Sequence, residues 1–147
     1  MLQIGVKSFY CENEPYTVQG FSMKRIIAKF FMTEEGAEPV KDWLKSLEKV
    51  DRHRVGADIA TVEYGWPVGM PISRAIRDGV REVRSTIKNG RVEARTYFGI
   101  DNGLMLLLHG EEGKDCQQEA INLAVRRWKD YLERSKRLKK SEKRKKT

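Results

Sequence analysis

The chain has 147 residues, with 29 Lys and Arg against 21 Asp and Glu, for a net charge of +8. That length suits one domain with a core of its own, and no stretch approaches the ~18 apolar residues of a membrane span. The charge is unevenly placed: residues 133–147 carry nine Lys/Arg and two Glu, while residues 1–22 carry Lys7 against Glu12 and Glu14, which leaves only +2 for the body between. The high pI is therefore mostly a property of the tail and does not mark the fold itself as a nucleic-acid binder. A basic segment after a helix suits contact with phosphate backbone without sequence specificity, and a solvated helix end accounts for it equally well. Cys11 and Cys116 match no metal or redox spacing and fit a reduced, cytoplasmic protein. The N-terminus lacks a basic start followed by an apolar core, so no secretory signal is expected.

Residues 1–22 mix turn formers (Glu12-Asn13-Glu14-Pro15) with short apolar pieces and read as an extension, with room for an extra edge strand. A strand is predicted over Lys24–Phe31, from Ile26-Ile27-Ala28-Lys29-Phe30-Phe31. Thr33-Glu34-Glu35 suit a helix N-terminus, and Pro39 suits a first turn. Val40, Trp43, Leu44 and Leu47 then recur at i, i+3, i+4, i+7, which predicts a helix over about Glu35–Leu47. Asp51 opens a second helix, with Val55, Ile59 and Val62 on one face, ending near Gly65-Trp66-Pro67, hence about Asp51–Tyr64. The two form a hairpin that covers a sheet, with Trp43, Leu44, Leu47, Ile59 and Val62 turned inward. Gly69-Met70-Pro71 is a loop into a short extended piece, Ile72 to Ile76.

Three alternating runs follow: Val80 to Ile87, Arg91 to Ile100, and Leu104 to His109. Asn89-Gly90 and Asp101-Asn102-Gly103 separate them, and Asn and Gly tolerate the positive φ of tight hairpin turns. This predicts a three-stranded antiparallel meander. Its third strand is apolar on both faces and therefore central and covered on both sides. Gly110 to Asp115 reads as a polar loop, and a last helix presents Ile121, Ala124, Val125, Trp128 and Leu132 on one face. The fold class is α+β, an antiparallel sheet with an N-terminal helical hairpin and a C-terminal helix, in the order β-α-α-β-β-β-β-α.

Side chains two apart on a strand share a face. Glu93, Arg95 and Tyr97 thus oppose Val92, Ala94, Thr96 and Phe98, and Glu82, Arg84 and Thr86 oppose Val83 and Ile87. Strict alternation puts His109 with Met105 and Leu107. Arg84, Arg95 and Tyr97 are expected to share one open face with His109 near its rim. Arginine offers a forked, permanent cation that matches phosphate oxygens, histidine moves protons near neutral pH, and tyrosine orients a phosphate or stacks on a base. A plainer account exists for each alone. Alternating Glu and Arg commonly form cross-strand pairs on a solvated face, and a histidine at a strand end often serves a backbone group.

Four stretches carry a family likeness: Pro39-Val40-Lys41-Asp42-Trp43-Leu44; Asp58-Ile59-Ala60-Thr61-Val62-Glu63-Tyr64-Gly65-Trp66-Pro67-Val68-Gly69-Met70-Pro71; Asp78-Gly79-Val80-Arg81-Glu82-Val83-Arg84; and Leu106-Leu107-Leu108-His109-Gly110. On these residues Met23 to Leu132, about three quarters of the chain, resembles the phage-derived HigB-like toxins of the RelE/ParE superfamily. The resemblance divides the chain into an extension (1–22), a RelE/HigB-like toxin domain (23–132) and a basic tail (133–147). It implies a RelE/ParE-like fold and a type II toxin–antitoxin origin: a cytoplasmic mRNA endoribonuclease acting on the ribosome, with no metal, no cofactor and no membrane. The implied partner is a small antitoxin with a DNA-binding helix-turn-helix.

On that reading Arg84, Arg95 and Lys114 stabilise the phosphorane, His109 transfers a proton and Tyr97 orients the substrate. Glu82 holds Arg84 in place or acts as a base, and Lys136, Arg137, Lys139 and Lys140 hold the RNA backbone. The chain departs from the family pattern after His109-Gly110. The family continues with an aromatic and a pair of lysines, whereas this chain has Glu111-Glu112-Gly113-Lys114-Asp115-Cys116-Gln117-Gln118. That segment is closer to the Gly-Gly-Asp-Lys-Ser-Thr-Gln element of a neighbouring addiction-module killer branch, and Lys114 is its one remaining candidate cation. Two alternatives stay open: a ParE-like toxin that poisons gyrase by binding, and a degenerate phage-derived protein that keeps only RNA or antitoxin binding.

Overall fold

The hydrophobic period changes from helical to alternating near residue 72, and the layers of the molecule follow that change. A computed structural model describes residues 23–113 and 115–146, so the expected extension over 1–22 and the candidate Lys114 lie outside the described residues. The fold is α+β. β1 (Ile27–Phe30) leads to α1 (Pro39–Ser46) and α2 (Lys49–Gly65). Four strands follow in succession, β2 (Ser73–Arg77), β3 (Val80–Ile87), β4 (Val92–Asp101) and β5 (Leu104–Glu112), and α3 (Gln117–Lys146) closes the series. None of the described helices is long and apolar enough to cross a membrane.

α1 begins at Pro39 rather than in the Thr33–Glu35 turn. The Thr33 hydroxyl accepts a hydrogen bond from the Ala37 amide at 3.0 Å, and Gly36 sits at φ +93°, so a tight turn replaces the first helical turn. α2 stops at Gly65 because the residue before a proline is driven out of the helical region, and Trp66 is extended at φ −52°, ψ 134°. Leu44, Leu47, Ile59 and Val62 are buried as expected, and Trp43 is half-buried against the same cluster.

The sheet order is β1-β5-β4-β3-β2. β3, β4 and β5 form the expected antiparallel meander, and β2 extends it at the far edge. The expectation of a wholly antiparallel sheet is corrected by β1, which pairs parallel to β5, Ile27 against Leu104 through Phe30 against Leu107. Alternation tells which face a residue occupies and says nothing of strand direction. β1 and β5 are joined through two helices and three strands rather than by a hairpin, and parallel neighbours need a long connection of that kind. β5 lies inside the sheet, and Met105, Leu106, Leu107 and Leu108 are all buried.

α1 and α2 cover one face, packing Val40, Leu44, Val55 and Ile59 on Val83, Ile87, Phe98 and Leu107. α3 covers the other, packing Ala124, Val125 and Trp128 on Val80, Tyr97, Leu106 and Leu108. Two indoles need bare backbone beneath them: a Cβ at Gly99 would meet the Trp128 ring at 2.5 Å, and one at Gly110 would enter the Trp43 ring. A buried acid that sequence reading passed over anchors β1. Glu63, 1% exposed, accepts from the Ala28 amide at 2.8 Å and from Lys24 Nζ at 2.9 Å.

Candidate functional site

The β3–β4–β5 register brings the meander candidates together. Arg84 stands directly opposite Arg95, Glu82 opposite Tyr97, and Tyr97 opposite His109. Partners directly opposite in an antiparallel ladder share a face, so all five occupy the face that α3 partly covers. For His109 this corrects the expectation from strict alternation. The β4–β5 register shifts by one residue, with Phe98 opposite Leu107 and Tyr97 opposite His109, so Leu108 is the extra residue of a bulge. A bulge re-aims every side chain beyond it. His109 therefore leaves the face of Met105 and Leu107 and stacks on Tyr97, ring centroids 6.2 Å apart at 16° between planes.

The shared face is not open. Glu82 is fully buried and lies among three arginines: Arg84 Nε donates to Oε2 at 2.7 Å, and Arg74 and Arg95 approach Oε1 at 3.7 and 3.8 Å. Arg95 is 3% exposed, and its NH1 donates to the Gly113 carbonyl at 2.9 Å. Arg84 and Arg74 are partly exposed and form the solvent rim. Glu82 thus accepts a hydrogen bond from Arg84 and lies close to the other two guanidiniums.

Tyr97 is buried, and its hydroxyl donates to Glu111 Oε1 at 3.0 Å. Burial first, then that bond to the carboxylate, push the phenol well above its ordinary value. Burial also raises the Glu111 carboxyl, while the Tyr97 hydrogen bond and the Arg95 charge pull it down. Glu111 enters the site because β5 runs on to Glu112 rather than breaking at Gly110, with Glu111 opposite Arg95. The polar composition of Gly110–Asp115 hid this: a ladder continues for as long as its neighbour offers partners, and β4 does. The opposite charges of Arg95 and Glu111 were the one available signal.

His109 is half-buried beside α3. Burial, and then the Arg127 guanidinium, push its imidazole down from 6.5 to about 4, so the ring is neutral at pH 7. Arg127 NH1 donates to the Leu108 carbonyl at 2.8 Å and lies 3.4 Å from His109 Nδ1. A guanidinium only donates, so this contact favours the tautomer with the proton on Nε2. Arg127 was not singled out from sequence, because a cation on the exposed side of an amphipathic helix carries no distinguishing pattern.

The remaining candidates stand apart. Lys136, Arg137, Lys139 and Lys140 are exposed on the last turns of α3, beyond the residues that pack on the sheet. Among the described residues no group of three or more His, Cys, Asp or Glu side chains is placed to hold a metal ion. Neither a scan of protein-family models nor a search of curated proteins finds a match to the chain.

Proposed function

We propose that the chain is a toxin of a type II toxin–antitoxin module, RelE/ParE-like in fold, whose meander face cleaves messenger RNA on the ribosome. The observation that carries this reading is the placement of Arg84 directly opposite Arg95, with Arg74 beside them and one carboxylate, Glu82, among the three. Like charges directly opposite on neighbouring strands are destabilising. Three guanidiniums stand against two carboxylates, Glu82 and Glu111; this excess of one cation is electrostatically suited to a further anion, and the fork geometry matches phosphate oxygens.

In the proposed reaction the ribose 2′-hydroxyl attacks the adjacent phosphorus. Its proton passes to Glu111, whose carboxyl is raised above its ordinary value by burial. The 2′-oxygen–phosphorus bond forms, the 5′-oxygen–phosphorus bond breaks, and the leaving oxygen takes a proton from water. Arg84 and Arg95 stabilise the phosphorane charge, Lys114 remains a candidate for the same role, and Tyr97 orients Glu111. Neutral His109 presents Nε2–H to a phosphate oxygen, which replaces the proton-transfer role expected of it. An antitoxin with an acidic segment would neutralise the same face.

Single-turnover cleavage of ribosome-bound message tests the reading. Arg84→Ala, at a partly exposed position, should slow cleavage by ~10²-fold or more, as loss of one transition-state contact does. A second reading, a toxin that acts by binding alone, is favoured by the commitment of Arg95 to Gly113 and Glu82. Message left intact by the parent protein, with gyrase poisoned, would select the gyrase toxin. Message intact and gyrase unaffected, with antitoxin still bound, would select the degenerate form.

A further inference from the structure

The basic end of α3 takes no part in the meander chemistry. The helix packs on the sheet through Ala120, Ile121, Ala124, Val125 and Trp128, with Leu132 at the margin, and Arg134 NH2 ties it to the Met32 carbonyl at 2.8 Å. From Lys136 to Lys146 every residue is exposed, yet the helix continues unbroken through Lys146. Lys, Arg, Leu and Glu are strong helix formers, this stretch contains no Gly or Pro, and cations near a helix C-terminus oppose its dipole favourably.

At about 100° per residue, Arg134 and Leu138 fall on the side that faces the groove beside β1. Lys136, Arg137, Lys139, Lys140, Lys143 and Lys146 spread over roughly half the circumference on the other side, along about 15 Å of axis. The result is a stiff rod with cations at fixed positions.

We propose that this projecting helical arm is a docking surface for double-helical RNA, gripping its phosphates. The choice of RNA rests on the ribosomal reading above, and the choice of duplex rests on the arm itself. No aromatic residue follows Tyr131, so the arm lacks the stacking platform on which single-strand binders seat successive bases. No Asn or Gln is present after Asn122 to read adenine edges, and six of the nine cations from Arg134 to Lys146 are lysines, point charges that suit phosphate oxygens better than the paired acceptors of a guanine edge. A-form RNA is recognised largely through its shape and phosphates, which this charge array suits. An interfacial membrane helix needs an apolar face, and Leu138 is the one large apolar residue between Glu133 and Lys146.

The test uses the full chain and a variant carrying Lys136→Gln, Arg137→Gln, Lys139→Gln and Lys140→Gln, with helix content matched by circular dichroism. Fluorescence anisotropy would follow binding to a 20-base-pair RNA duplex, a 20-nucleotide poly-U strand and a 20-base-pair DNA duplex, and sedimentation would follow phosphatidylserine vesicles. The parent should prefer the RNA duplex. The variant should lose at least 10-fold in affinity near 0.1 M salt, and its log K against log salt slope should be shallower by roughly 3–4 if all four cations contact phosphate, since each contact contributes about 0.9. Tighter binding of the parent to the single strand, the DNA or the vesicles would overturn the proposal, as would an unchanged slope in the variant. Duplex binding by a parent that cleaves no message would overturn the nuclease reading and leave the arm standing. Cleavage with an unchanged slope in the variant would do the reverse.

Discussion

Glu82→Gln is the sharpest test of how the meander face is held. The substitution keeps the volume and an acceptor oxygen, and removes only the charge that three arginines share. Breaking a buried ion pair by neutralising one partner costs about 3–5 kcal/mol, because the other charge is left uncompensated. Here the cost should fall near the lower end. The Arg84 and Arg74 side chains are 31% and 41% exposed and can turn to water, whereas that of Arg95, at 4%, cannot. A loss of about 3 kcal/mol, with a urea slope of ~1–3 kcal/mol/M, lowers the denaturation midpoint by roughly 1–3 M. Arg74→Ala is the control: at 3.7 Å and partly exposed, it should cost under about 1 kcal/mol. Urea unfolding at pH 7 reads both. Equal losses for the two variants, or a loss under about 1 kcal/mol for Glu82→Gln, would refute the view that Glu82 is the hub of this face.

Stability should also depend on His109. The unfolded imidazole takes a proton near 6.5 and the folded one only near about 4, so the unfolded state binds more protons between those values. Stability from this group is full above pH 6.5 and lost as pH falls toward 4. The shift corresponds to about 3 kcal/mol at most, discounted to about 1–2 kcal/mol for partial exposure. Comparing the parent with His109→Gln from pH 7 to 4.5 isolates the effect, because the raised carboxyl of Glu111 acts in the opposite sense in both proteins; parallel curves would exclude it. Gly110→Ala should destabilise by about 1–3 kcal/mol, since its methyl enters the Trp43 ring, and a neutral result in thermal unfolding would mean that α1 shifts freely. Leu44→Ala, at a fully buried position facing the sheet, should cost about 2–5 kcal/mol by the same assay, and a loss under about 1 kcal/mol would place α1 outside the core.

What the sequence determined by itself was local. The helical stripe of Val40, Leu44 and Leu47, the alternation through β3 and β4, and the Asn102-Gly103 turn at φ 47° and 77° each follow from a short-range period or a backbone preference. These were enough to place Arg84, Arg95, Tyr97 and Glu82 on one face. The tertiary structure decided what depends on neighbours. The direction of β1 follows from the crossover that packs α1 and α2 on the sheet. The extra residue at Leu108 turned His109 toward Arg127, the continued ladder carried Glu111 into the site, and the arginines closed over Glu82. Hydrophobic period measures which side of a strand is greasy. It cannot register an inserted residue, the length of a partner strand, or whether two charges on one face meet in water or in the core.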